Sequence, residues 1–284
     1  MSARLFVEGA GNPRNSEILA TACELAYYPE SQGRELYQSK LGLDAQFVSV
    51  DNTQVYVGQN DTDVVVAFRG SESPDTIDGF KDWLLTNANN FLILPEGRIG
   101  TDFAAAGVGA RFHKGFLEAL DEIWAPFFAA VDKAIQAKDR PVWVTGHSLG
   151  GALALLAAWR LVQNFIGVHE IHTFGAPMIG NDAAAKAFEG EFPNKIFRYV
   201  NDLDLVPLLP TVSLTTNSYA HCLREMILRG QAETSAASAV LQGFASRTID
   251  GILNATLIDD IWSCMKDRIA YHMVSSYQQR IKER

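Results

Sequence analysis

Apolar positions change their spacing along the chain, and each change predicts a different element. Gln46–Val50 and Val64–Phe68 are short runs of strand type, with Gln54–Val57 between them and turn residues Asp51-Asn52 and Asn60-Asp61 at the joins. This pattern predicts a small antiparallel meander. From Lys114 onward helix and strand alternate. Gly115–Ala137 is helical, Val142–Thr145 is a buried strand, and Leu149–Val162 is an Ala- and Leu-rich helix. Glu170–Phe174 predicts a further strand, Asp182–Phe188 a helix, and Lys195–Val200 another strand. Such alternation builds a parallel sheet covered by helices. Ala232–Leu253 and Asp259–Arg280 read as two last helical stretches, with Leu241, Phe244, Ile249 and Ile252 at mixed three- and four-residue steps. No repeat and no linker divides the 284 residues, so the expectation is one α/β domain over 1–284.

Composition narrows the class of partner. With 48% hydrophobic and 20% charged residues, the chain falls in the globular range. A formal charge of −9, from 24 Lys and Arg against 33 Asp and Glu, repels phosphate backbones and anionic head groups, which argues against nucleic acid. The apolar run Gly150–Trp159 is half the roughly 20 residues needed to cross a bilayer, so no transmembrane segment is expected. Cys23, Cys222 and Cys264 allow at most one disulfide and lack metal-site spacing. Near the amino end only Leu5, Phe6 and Val7 precede an acid, whereas a secretory signal needs an apolar run of roughly 7–15. As written the chain carries no export signal, and it would be secreted only if a leader had been removed. Oligomeric state is left open.

Gly146-His147-Ser148-Leu149-Gly150 matches G-x-S-x-G, in which a serine sits on a tight turn between strand and helix. An apolar strand leads in, and Gly150, Gly151, Ala152 and Ala154 follow where the helix must pass close under the sheet. A serine hydroxyl is a poor nucleophile until a base takes its proton and a carboxylate fixes the base's tautomer. In folds with this elbow the acid and then the His follow the serine. His169, His172, His221 and His272 are available there, and Asp202 and Asp204 lie in the loop Asn201–Pro207 after the Lys195–Val200 strand. His147 is expected to pack or bond near the turn, and His113, His169 and His172 to be structural or at the surface. The amide of Leu149, first in its helix, is one expected donor to an oxyanion. Between Ser71 and His113, Ile77, Phe80 and Leu84 recur at helical steps flanked by Trp83 and Leu85, with Asp78, Lys81 and Asp82 opposite, which predicts a short amphipathic helix.

Five motifs occur in one order: Val64–Phe68 followed by Arg69-Gly70-Ser71; His113-Lys114-Gly115-Phe116; Gly146–Ala152; Thr173–Pro177 with Gly180-Asn181; and Asn201–Pro207. Together they resemble the class 3 triacylglycerol lipases, the family of the filamentous-fungal lipases. The resemblance covers roughly 64–210 plus a C-terminal His. It implies an α/β-hydrolase fold, with a mixed and mostly parallel sheet flanked by helices. It maps the nucleophile to Ser148, the acid to Asp204 rather than Asp202, and the base to His272 within Tyr271-His272-Met273. His221 then resembles a second, structural His. The second oxyanion amide maps to Ser71, and Arg69 is expected to tie that loop to the body. The segment 72–90 corresponds to a lid, with Ile77, Phe80, Trp83 and Leu84 facing the site. The implied activity is ester hydrolysis on acylglycerols, at a lipid–water interface, with no metal or organic cofactor. An esterase for short or feruloyl-type esters with a fixed lid, and an inactive lipid-binding protein, are the alternatives. The 68 positions between Asp204 and His272 further suggest a helical cap at about 230–262.

Overall fold

A computed structural model describes residues 4–71, 92–209, 219–222, 225–228 and 268–284. The meander is present as β1 (Asp44–Val50), β2 (Thr53–Gln59) and β3 (Val64–Phe68), paired antiparallel, with Val50 opposite Thr53 across a two-residue turn. Asp51 adopts φ 47 in that turn, which Asp tolerates better than a bulkier residue. The meander is one flank of a larger sheet: β3 pairs in parallel with β6 (Val142–His147), followed by β7 (Glu170–Phe174), β9 (Ile196–Asn201) and β11 (Glu225–Leu228). The order of the seven strands is β1-β2-β3-β6-β7-β9-β11. Short strands β4 (Leu92–Ile93), β5 (Phe112–His113), β8 (Gly180–Asn181) and β10 (Tyr219–Ala220) form a second, smaller sheet.

Helices cover the large sheet on both faces. On one side lie α4 (Lys114–Ala137) and α5 (Leu149–Gln163), which bury Phe116, Leu120, Phe127, Leu153, Leu156 and Trp159 against Val64, Val66, Val144 and Ile171. α6 (Asp182–Glu191) adds Phe188 to that core, and α3 (Gly97–Phe103) adds Phe103. On the other side lie α1 (Pro13–Leu25), capped by Asn12 Oδ1, and α2 (Glu30–Leu36). There Leu19, Cys23 and Tyr37 meet Val65, Ala67, Trp143, Phe197 and Tyr199. Leaving these apolar side chains in water would cost each roughly 1.5–3 kcal/mol, and the inward residues of each strand alternate between the two cores.

Asp259–Arg280 reads as one helix in the sequence, and its described part corrects that expectation. It forms two helices, α7 (Ile269–His272) and α8 (Val274–Lys282), broken at Met273 with ψ 140. A continuous helix would give the carbonyls of Tyr271 and His272 to the amides of Ser275 and Ser276. Here Asn201 Nδ2 takes the first at 2.9 Å and His147 Nε2 the second at 2.6 Å. Ser276 N–H turns to the Met273 carbonyl instead, at 3.0 Å. α8 packs on α1, with Gln278 Nε2 donating to Glu24 at 2.9 Å. The expected lid over 72–90, with Ile77, Phe80, Trp83 and Leu84, and the expected cap over 230–262 lie outside the described residues.

Candidate active site

β6 ends and α5 begins within one residue. Ser148 takes φ 57 and ψ −132, a region that costs a residue with a Cβ about 1–3 kcal/mol. Its neighbours hold it there: Ser148 N–H donates to the Phe174 carbonyl and Gly151 N–H to the Ser148 carbonyl, both at 2.9 Å. A Cβ on Gly146 would lie 2.1 Å from the Gly150 carbonyl oxygen, and one on Gly150 2.3 Å from that of Phe68. Both glycines are therefore steric requirements of the turn. The serine emerges beside the amides of Leu149 and Gly150, which open α5 and so have no acceptor within the helix.

Sheet register brings the end of β3 to the same place. Phe68 pairs with Gly146, so Arg69-Gly70-Ser71 leave the sheet alongside His147 and Ser148. The approach is close enough that a Cβ on Gly70 would sit 3.2 Å from Ser148 Cβ and 2.8 Å from the His147 carbonyl oxygen. Arg69 anchors this loop through its amide to Gln54 at 3.0 Å and its guanidinium to the Asn52 carbonyl at 3.4 Å.

The acid and the imidazole meet across the sheet. Asp204, buried in the loop after β9, accepts from Val206 N–H on Oδ1 at 2.9 Å. Its Oδ2 accepts from His272 Nδ1 at 2.7 Å and from the Tyr277 hydroxyl at 2.6 Å. The His272 ring also lies 4.7 Å from the ring of His147, the residue next to Ser148. Asp202 is engaged elsewhere, with Arg280 at 2.8 Å. His221 hydrogen-bonds the Pro207 carbonyl, and burial pulls its pKa down to about 3, with Arg198 adding to the shift. His113 caps α4 and is likewise lowered to about 3 by burial. His172 is fully buried under α1.

Three residues that the motif reading did not single out complete the arrangement. Tyr277, five positions after His272, reaches Asp204 because the break at Met273 starts α8 in a new direction. Burial and the neighbouring carboxylate push its hydroxyl well above the ordinary tyrosine pKa, so it stays protonated and donates. Asn201 N–H donates to the Tyr277 oxygen at 3.2 Å. Gly175, at φ 62, floors the pair: a Cβ there would fall 2.9 Å from Asp204 Oδ2 and 3.1 Å from His272 Cε1. A glycine after a strand end was the available signal for the last of these; the other two depend on contacts between distant segments.

Residues 65–214, more than half of the chain, match the family model Lipase (class 3). The chain belongs to the class 3 lipase family. Among relatives of this class 3 member, secreted mono- and diacylglycerol lipase 1 of Fusarium solani is 33% identical over 193 residues, covering 68% of this chain and 49% of the relative. Secreted mono- and diacylglycerol lipase 3 of Gibberella zeae is 31% identical over 168 residues, 57% of this chain and 49% of that one. The chain thus spans about half the length of the curated relatives it matches. The solved Rhizomucor miehei triacylglyceride lipase superposes with a TM-score of 0.58 at 23% identity, covering 78% of this chain and 80% of its own. The class 3 chain accordingly has the α/β-hydrolase fold, with its mostly parallel sheet and flanking helices. Among the described residues no helix is long and apolar enough to cross a membrane.

Proposed function

We propose that the chain is a serine ester hydrolase of lipase type, with acylglycerols as its substrate class. The observation that carries this reading is the 2.7 Å bond from His272 Nδ1 to Asp204, beside a serine held on a positive-φ elbow. Asp204 fixes His272 with Nδ1 protonated, which leaves Nε2 as the basic nitrogen. Ser148 Oγ attacks the ester carbonyl carbon as its proton passes to Nε2. The tetrahedral oxyanion is met by the amides of Leu149 and Ser71, each such donor being worth about 10²–10³ in rate. His272 returns the proton to the departing alcohol, leaving an acyl-serine. Water, deprotonated by the same imidazole, then releases the carboxylic acid and restores Ser148.

The relatives named above are mono- and diacylglycerol lipases, which supports acylglycerols over other esters. Their designation as secreted supports action outside the cell. A fluorophosphonate should add its mass to Ser148, located by peptide mapping, and Ser148→Ala should remove both label and ester hydrolysis. No label on Ser148 in the wild-type protein sinks the assignment in favour of a lipid-binding role. Hydrolysis of short-chain esters with a steep fall at long-chain ones would replace lipase by esterase.

A further inference from the structure

His147 sits inside the elbow and has both ring nitrogens engaged. Nε2 lies 2.6 Å from the carbonyl oxygen of His272, and Nδ1 lies 2.8 Å from the hydroxyl of Tyr27. A carbonyl can only accept, so Nε2 carries the proton. Burial, reinforced by the nearby His272, holds His147 well below the ordinary imidazole pKa, so the ring is neutral and Nδ1 is an acceptor for the Tyr27 hydroxyl. The Tyr27 oxygen in turn lies directly against Gly70. Gly70 has no room for a side chain at this point, since a Cβ would fall 2.2 Å from that oxygen.

The chain of contacts therefore runs from Gly70, packed on the Tyr27 oxygen, through the hydrogen bonds from Tyr27 O–H to His147 Nδ1 and from His147 Nε2–H to the backbone of His272. Its ends are the residue before Ser71 and the imidazole-bearing residue itself, and its middle is the residue before Ser148. We infer that Tyr27 and His147 form a clamp that sets the oxyanion loop, the nucleophile elbow and the base in mutual register. His147 is a positioning residue: it touches the backbone of His272 and holds open the break at Met273 by taking the carbonyl a continuous helix would use. The direction of the clamp is fixed by the Tyr27 proton. Without it, Nδ1 is free to take the proton, and Nε2 would then face the His272 carbonyl lone pair to lone pair.

The catalytic part of this inference rests on the hydrolase reading above, whereas the tautomer stands independently of it. Three variants test it on a soluble nitrophenyl ester: His147→Phe, His147→Gln and Tyr27→Phe. His147→Phe keeps a flat ring but loses the donor, and kcat should fall about 10- to 100-fold with KM changed less than about twofold. The amide nitrogen of Gln reaches the place of Nε2, so His147→Gln should regain most of the lost kcat. Tyr27→Phe should give a smaller loss of kcat. A role in packing alone predicts the reverse order, with Phe better tolerated than Gln, and that result overturns the clamp. Imidazole ¹⁵N shifts of the resting protein read the clamp without catalysis: His147 should be protonated at Nε2 in the wild type and shift toward Nδ1 in Tyr27→Phe. A wild-type ring protonated at Nδ1 overturns the clamp even if ester hydrolysis is intact. Failure of the wild type to hydrolyse any ester, with the Nε2–H signal present, removes the hydrolase reading and leaves the clamp as an architectural tie.

Discussion

The described residues contain two sets of serine, histidine and carboxylate, one at the carboxyl rim of the large sheet and one bridging α1 and β7. Ser148, His272 and Asp204 occupy the carboxyl rim of the large sheet. Ser16, His172 and Glu170 lie between α1 and the opposite end of β7. Glu170 Oε2 accepts from His172 Nε2 at 2.8 Å, and Ser16 Oγ is 3.4 Å from His172 Nδ1. The second set lacks what would make a nucleophile. Ser16 lies inside a regular helix, with its own amide on the Asn12 carbonyl at 3.3 Å, so no unpaired amides converge beside it. Its hydroxyl is also within reach of Tyr199 and of the Asn12 carbonyl, and it is 0% exposed. Glu170 also receives the Gly11 amide at 3.1 Å, which ties the start of the fold to β7. The same three residue types thus serve as a core fastening in one place and as a candidate reaction centre in the other. Backbone conformation and free amides make the difference.

The largest effect expected from breaking this contrast is at the serines. Ser148→Ala should lower kcat/KM by about 10⁴–10⁶, whereas Ser16→Ala should leave it within about twofold and reduce Tm by several degrees, as steady-state kinetics and calorimetry would show. At the acids, Asp204→Asn should cost about 10³–10⁴ in kcat by releasing the tautomer of His272. Glu170→Gln should instead cost about 1–3 kcal/mol of stability, measured by urea unfolding, with kcat retained. Gly175→Ala sharpens the comparison from another side, since its Cβ would strike both Asp204 and His272. A loss of about 10²-fold in kcat is expected, and wild-type rates in that variant would show the floor to be irrelevant.

The smallest effect per residue is in acid. Burial lowers the pKa of His172, and lowers His113 and His221 to about 3, against an ordinary value of 6.5. The unfolded chain binds protons at these sites before the native one does, so stability is full above about pH 6.5 and is lost as pH falls toward 3. At pH 5, 1.5 units below the unfolded value, His113 and His221 should each withdraw about 2 kcal/mol. Thermal unfolding between pH 7 and pH 4 should slope less steeply in His221→Gln than in the wild type.

The strands around the elbow were legible because Val64–Phe68, Val142–Thr145 and Glu170–Phe174 are buried on both faces and so read as dense, short runs. α1 was not legible. Its buried face carries Leu19, Ala22, Cys23 and Ala26 at helical steps, but these are mostly small and share the face with polar Asn15 and Ser16, so the stripe is weak. The pairing of Asp204 with His272 was implied by the family resemblance, since residue order alone left Asp202 and three other histidines open; the two side chains share a 2.7 Å hydrogen bond. The break at Met273 was invisible, because Val274, Tyr277 and Ile281 continue a helical pattern through it and the competing donors, Asn201 and His147, are distant in sequence. For the same reason Tyr277 and Tyr27 carried no local signal.

The position of α7 in the chain also sets the order in which parts become available. Every strand end around Ser148 is translated before residue 268, and the imidazole follows on α7. A nascent chain stopped short of α7 would carry Ser148 and the Leu149 amide without the imidazole proposed as the base. The ester chemistry proposed above therefore has to wait until α7 has been translated.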